Sequence, residues 1–145
     1  MQRRDARRRC AYTLVELVLV LTVLALVCAI GIRAMGRQLD RVAVGNAIAE
    51  SAAALARARD EALARHAVVS VRIDTAQRVL TLHTGGMRLG RHALGHAHGV
   101  SLSATRDSIL FDARGLGYGA ANLTLVARRG AAAETLVVSR LGRVR

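Results

Sequence analysis

Residues 11–32 read Ala-Tyr-Thr-Leu-Val-Glu-Leu-Val-Leu-Val-Leu-Thr-Val-Leu-Ala-Leu-Val-Cys-Ala-Ile-Gly-Ile, 22 positions with one charge, Glu16. A helix needs about 20 apolar residues to cross the hydrocarbon core of a bilayer, so this stretch has the length and composition of a membrane span. Ahead of it, residues 1–10 carry five Arg against one Asp. Clustered cations of this kind stay on the cytoplasmic side. Past the span, Arg33, Arg37 and Arg41 face Asp40 and Glu50, a weaker excess. The expected orientation puts the N-terminus in the cytoplasm and the remainder of the chain across the membrane.

Three fates of such an N-terminus compete. It stays as an uncleaved anchor, it is removed as a secretory signal after the small residues of Val27-Cys28-Ala29, or it is cut just ahead of the apolar run. Glu16 weighs on the choice. A carboxylate near a helix centre opposes insertion by about 2.5–3.5 kcal/mol, and by less near an end. A plain anchor or signal has no use for that cost.

The string Ala11-Tyr12-Thr13-Leu14-Val15-Glu16-Leu17 resembles the processing motif of type IV prepilins: a small residue, an aromatic, Thr, Leu, an aliphatic, then Glu. The resemblance implies that a prepilin peptidase cuts between Ala11 and Tyr12 and methylates the new amino group of Tyr12. The family usually has Gly before the cut; Ala11 stands there in this chain. Glu16 is then the fifth residue of the mature protein. An amine and a carboxylate brought together in low dielectric neutralise each other, within one chain or between neighbouring subunits, where the pairing sets register during assembly. The other reading of Glu16 is a side chain that reaches to the membrane interface. The partners implied are the peptidase, other pilins or pseudopilins, and the inner membrane.

Residues 33–65 continue without a helix breaker. Ile48, Ala52, Leu55, Ala56, Ala62 and Leu63 recur at helical spacing opposite Arg57, Asp60, Glu61 and Arg65. One helix from about Thr13 to about Arg65 is expected, with an amphipathic outer half over 33–66. The chain has no Pro, whereas many pilins carry one midway along this helix. Gly31, Gly36 and Gly45 are its soft points.

From Ala67 the period changes to alternation. Val69, Val71 and Ile73 alternate with Ser70 and Arg72, a turn follows at 74–77, and residues 79–82 return, which predicts a hairpin. Residues 84–99 read as Gly-rich and irregular. Short strands are expected over 100–103, 109–111, 123–127 and 135–139. The fold class is therefore α+β: a long N-terminal helix packed on an antiparallel β head, in one sheet or two. The organisation is a cleaved leader at 1–11, a span at 12–32, the outer helix at 33–66 and the head at 67–145. With three aromatics in the chain (Tyr12, Phe111 and Tyr118) and no Trp, the core must be built from Leu, Val, Ile and Ala. Cys10 and Cys28 lie outside the head, which therefore has no disulfide framework.

Ile109-Leu110-Phe111, Gly115, Leu123-Thr124-Leu125, Leu136-Val137-Val138-Ser139 and Gly142-Arg143 resemble the head of the GspH/FimT branch. That branch comprises minor pseudopilins of type II secretion and minor pilins of type IV pili. The family's Pro after the Phe is replaced here by the stretch 112–114. The resemblance implies a non-enzymatic minor subunit of a type II secretion pseudopilus or a type IV pilus, with no cofactor.

The bases are 22 Arg with no Lys, against 10 acids, for a net charge of +12. Arg128, Arg129, Arg140, Arg143 and Arg145 crowd 18 residues near the C-terminus with only Glu134 opposed. The ending Gly-Arg-Val-Arg resembles the tail of FimT-type minor pilins, which bind DNA in transformation, so non-specific DNA binding is the alternative function. Solvation of an edge strand explains the same arginines. His92, His96 and His98 form H-x3-H-x-H, a spacing compatible with a metal, yet no Cys or carboxylate lies close in sequence, and exposed loop histidines are the expectation. Gly115-Leu-Gly-Tyr-Gly119 lacks the following Lys and the strand-to-helix context of a phosphate loop and reads as a flexible turn. No Ser, His or Asp sits in a nucleophile setting, so no catalytic residues are assigned.

Overall fold

The structure, a computed structural model, describes residues 13–118 and 122–139, with Tyr118 given by its backbone. The chain divides into two compact units, residues 1–36 and 37–145. One helix, α1 (Leu14–Arg65), runs through the boundary without a break at Gly31, Gly36 or Gly45.

In the first unit, α1 begins at Thr13, whose hydroxyl accepts the Glu16 N–H at 3.2 Å, a side-chain cap on an otherwise unsatisfied donor. Its apolar residues are exposed on every face, from Leu14 through Ile32. A helix apolar all round needs an apolar solvent or partner on all sides. Past Glu16, the hydroxyl of Thr22 returns to the Val18 and Leu19 carbonyls at 2.9 and 2.8 Å, which removes the penalty for its donor. Among the described residues α1 is the single helix long and apolar enough to cross a membrane.

In the second unit, α1 buries Ala43, Val44, Ala47, Ile48, Ser51, Ala54, Leu55, Ala58 and Ala62, a stripe three to four residues apart. Five of the nine residues in the stripe are alanine. Ser51 fits this seam because its hydroxyl donates to the Ala47 carbonyl at 2.7 Å. The α1 stripe packs into one core with two antiparallel sheets.

The first sheet has the order β3-β2-β1-β5-β6 and comprises β1 (Val69–Asp74), β2 (Val79–Thr84), β3 (Met87–His92), β5 (Ser108–Phe111) and β6 (Gly117–Tyr118). The second has the order β4-β7-β8, with β4 (Ser101–Ala104), β7 (Leu123–Arg129) and β8 (Ala132–Val138). A five-residue helix, α2 (Leu94–His98), links β3 to β4 and ends on Gly99 in the left-handed region. The shared core contains Leu55, Leu80, Leu82, Leu94, Leu123, Leu125, Val138 and the aromatic Phe111.

The helix, the β1–β2 hairpin and strands β4, β5, β7 and β8 stand where periodicity places them. Residues 84–99 do not. Gly85 and Gly86 both take positive φ, 51° and 83°, the two-residue turn that matches strand twist. They close a hairpin onto β3 instead of an irregular loop. Gly117-Tyr118 pairs with Phe111-Leu110 rather than remaining a flexible turn. The segment in place of the family's Pro is ordered by Asp112, whose Oδ1 accepts the N–H groups of Arg114 and Leu116, both at 2.9 Å. Gly115 at φ 71° completes that turn, and a Cβ there would lie 3.0 Å from Leu63.

Candidate functional site

Glu16 lies in the first turn of α1 and is exposed. Ala11 and Tyr12 lie outside the described residues, as do Arg140, Arg143 and Arg145.

Arg128 and Arg129 end β7 beside the turn at Gly130. Their environments differ. Arg128 is exposed, with no ion pair among the described residues. Arg129 is engaged: its Nε lies 3.0 Å from Asp40 Oδ1 on α1, and its guanidinium also donates to the His98 carbonyl at 2.7 Å. One side chain thus ties the β7–β8 turn to both α1 and the end of α2. Gly130 has φ 54°, and a Cβ there would collide with the Asp40 carboxylate, so the close approach requires glycine.

The histidines are not exposed loop residues as a set. His92 is the last residue of β3 and His98 the last of α2, and both are half-buried on Glu50 of α1. Glu50 Oε1 lies 2.9 Å from His92 Nδ1, and Oε2 lies 2.7 Å from His98 Nε2. Each imidazole donates one N–H to one carboxylate oxygen. The His98 bond, then the His92 bond, holds the Glu50 carboxyl below its ordinary value of 4.5, and partial burial acts the other way. His96, between them, is exposed. Among the described residues no three His, Cys, Asp or Glu are grouped to hold a metal ion. The arrangement is a structural clasp that pins the β3–α2 segment to the helix.

Sequence reasoning missed Glu50 and Asp40 as partners because they lie 42 to 89 positions from the groups they bind. The available signal was placement. Glu50 borders the Ala47–Ser51–Ala54 stripe, where an acid is half-buried and needs donors.

The family model described as type II transport protein GspH matches residues 47–142. Among solved structures, the type IV minor pilin FimU of Pseudomonas aeruginosa (strain PAO1) superposes with a TM-score of 0.62 at 19% identity, covering 72% of this chain and 88% of that one. The minor pseudopilin EpsH from the Type 2 Secretion System of Vibrio cholerae does so with a TM-score of 0.56 at 16% identity, covering 70% and 94%. At these identities the likeness is one of fold: a long helix against antiparallel sheets. No curated protein sequence matches. The family match runs from the buried stripe of α1 through the last strand, and the chain belongs to the GspH family of type II transport proteins.

Proposed function

We propose that this protein is a minor pseudopilin or pilin subunit, made as a precursor, cut between Ala11 and Tyr12 by a prepilin peptidase, and methylated at Tyr12. It is held in the inner membrane by α1 with its head in the periplasm, and leaves the membrane by packing α1 beside the helices of neighbouring subunits. The observation that carries this reading is Glu16. It is one acid in an apolar run exposed on all sides, the fifth residue counted from the proposed new amino terminus. In a filament the run is covered by other helices, and Glu16 has the N-methyl amine of Tyr12 as its counter-charge. The apolar helix and membership of the GspH family support the same reading.

Co-expression with a prepilin peptidase tests it. The wild-type chain is expected to shorten by its leader, and Glu16→Ala to be shortened yet lost from sheared filament fractions. A chain that keeps its leader in the presence of the active peptidase contradicts the proposal.

The DNA-binding alternative through Arg128, Arg129, Arg140, Arg143 and Arg145 starts from a reduced set, because Arg129 already serves Asp40 and the His98 carbonyl. It keeps Arg128 and the three arginines beyond the described residues.

A further inference from the structure

The acids that stand near Arg37 and Arg41 in sequence are Asp40 and Glu50, and the structure gives both to other groups. Asp40 holds Arg129 at 3.0 Å, and Glu50 holds His92 and His98 at 2.9 and 2.7 Å. Arg37 and Arg41 are exposed and have no ion pair among the described residues. Four positions apart on α1, they share one face of the helix.

That face borders an open cleft between α1 and the turn from β7 to β8. Its narrow part, about 60 Å³, is lined by Arg37, Asp40, Arg41, Ala131 and Ala132. A wider part of about 370 Å³ adjoins it through Arg41, Ala131 and Ala132 and reaches Val44, Ala133 and Glu134. Val44 is buried and gives the cleft an apolar wall, and the three alanines keep it open. Glu134 is exposed, with no ion pair among the described residues. The cleft therefore offers two guanidiniums at one end, small apolar walls, and a free carboxylate at the other. In sequence, Arg37 follows Ile32, the last residue of the apolar run, by five positions, too few to take a long side chain out of reach of lipid headgroups. Leu39 and Val42, on the same turns of α1 as the two arginines, are exposed apolar residues, as suits a helix at a membrane interface.

We infer, resting on the reading of α1 as the membrane anchor, that this cleft holds the headgroup of an anionic phospholipid that carries hydroxyls. Arg37 and Arg41 donate charge-assisted hydrogen bonds to the phosphate oxygens. Glu134 repels a second phosphate but accepts from hydroxyls, so a glycerol-type headgroup fits both ends of the cleft. The walls of Val44 and the alanines take the apolar shoulder of the lipid. Cations beside a span are drawn to anionic lipid, and here the fold has removed the acids that would cancel them. The lining lacks the aromatic anchors of a protein interface. The site belongs to the membrane-held subunit, and ties the β7–β8 turn of the head to the lipid surface.

The test places the full-length chain in nanodiscs of phosphatidylcholine, alone or mixed with phosphatidylglycerol, and follows amide hydrogen exchange by mass spectrometry. In the wild type, phosphatidylglycerol is expected to slow exchange over residues 129–134 about threefold or more. Arg37→Gln/Arg41→Gln should lose that slowing, and Arg37→Lys/Arg41→Lys should keep it. Both variants should melt at the wild-type temperature in phosphatidylcholine discs. Reading exchange at the turn keeps the arginines of the leader out of the measurement. A chain that enters the discs but exchanges equally in both lipids overturns the headgroup site and leaves the subunit proposal standing. A chain that does not co-purify with the discs overturns both. Slowing that survives in the Gln variant overturns the role of the two arginines. Equal slowing by glycerol phosphate in phosphatidylcholine discs marks a site for free phosphate, and slowing that grows with the number of chains per disc marks a second copy in the cleft. Either result overturns the assignment to lipid.

Discussion

Glu50 Oε2 lies 2.7 Å from His98 Nε2, although the two residues are 48 positions apart, and the other oxygen of the same carboxylate holds His92 Nδ1. A single acid on α1 therefore fixes both ends of the segment that joins the two sheets. The adjacent tie, Arg129 to Asp40 and to the His98 carbonyl, closes the same corner from the second sheet.

Removing the acid should loosen that corner. Glu50→Ala leaves two half-buried N–H donors without their acceptor, at a cost of about 1–2 kcal/mol. The melting temperature of the head, followed by circular dichroism, is expected to drop by about 5–15 °C. An unchanged melting temperature would show that the clasp contributes nothing.

The same carboxylate sets an acid limb to stability. Its folded value lies below 4.5, so the unfolded chain binds more protons between the folded and unfolded values. The contribution is complete above the unfolded value and is lost as pH falls through the folded one. Glu61, held down by Arg65, acts in the same direction. Denaturant midpoints measured downward from about pH 5 should fall in the wild type and fall less in Glu50→Gln.

How much of this was legible in the sequence differs by element. The helix α1 and the β1–β2 hairpin rest on local pattern, an apolar run and then a helical period over residues 14–65 and alternation over 69–82. The stretch 84–99 hid β3 and α2 because its glycines mimic a loop; only the pairing of Gly85-Gly86 as a turn, and the bulge at Leu89-Gly90, turn it into strand. The histidine partner was not legible from the histidines themselves. Their acid sits on another element, and spacing within H-x3-H-x-H carries no information about it.

The turn at Gly130 offers a sharper test of packing. Gly130→Ala imposes a side chain where φ is positive and the Asp40 carboxylate already occupies the space. It should destabilise by about 1–3 kcal/mol. A double-mutant cycle on Asp40→Asn and Arg129→Gln should give a coupling of about 0.5–1 kcal/mol, as befits a partly exposed pair.

Core truncations should rank by what they leave behind. Phe111 is an aromatic side chain 1% exposed in the core, and Phe111→Ala should cost about 3–5 kcal/mol against about 2–5 for Leu55→Ala. Thermal melts of the two variants compare them directly. A Phe111→Ala chain as stable as wild type would contradict the core described here.

Intact-mass and N-terminal peptide analysis of the protein purified from a host with an active prepilin peptidase bears most directly on the subunit reading. The predicted result is a chain that begins at Tyr12 and carries one added methyl group on its amino terminus. A chain that begins at Met1, or one cut after Ala29, would contradict it.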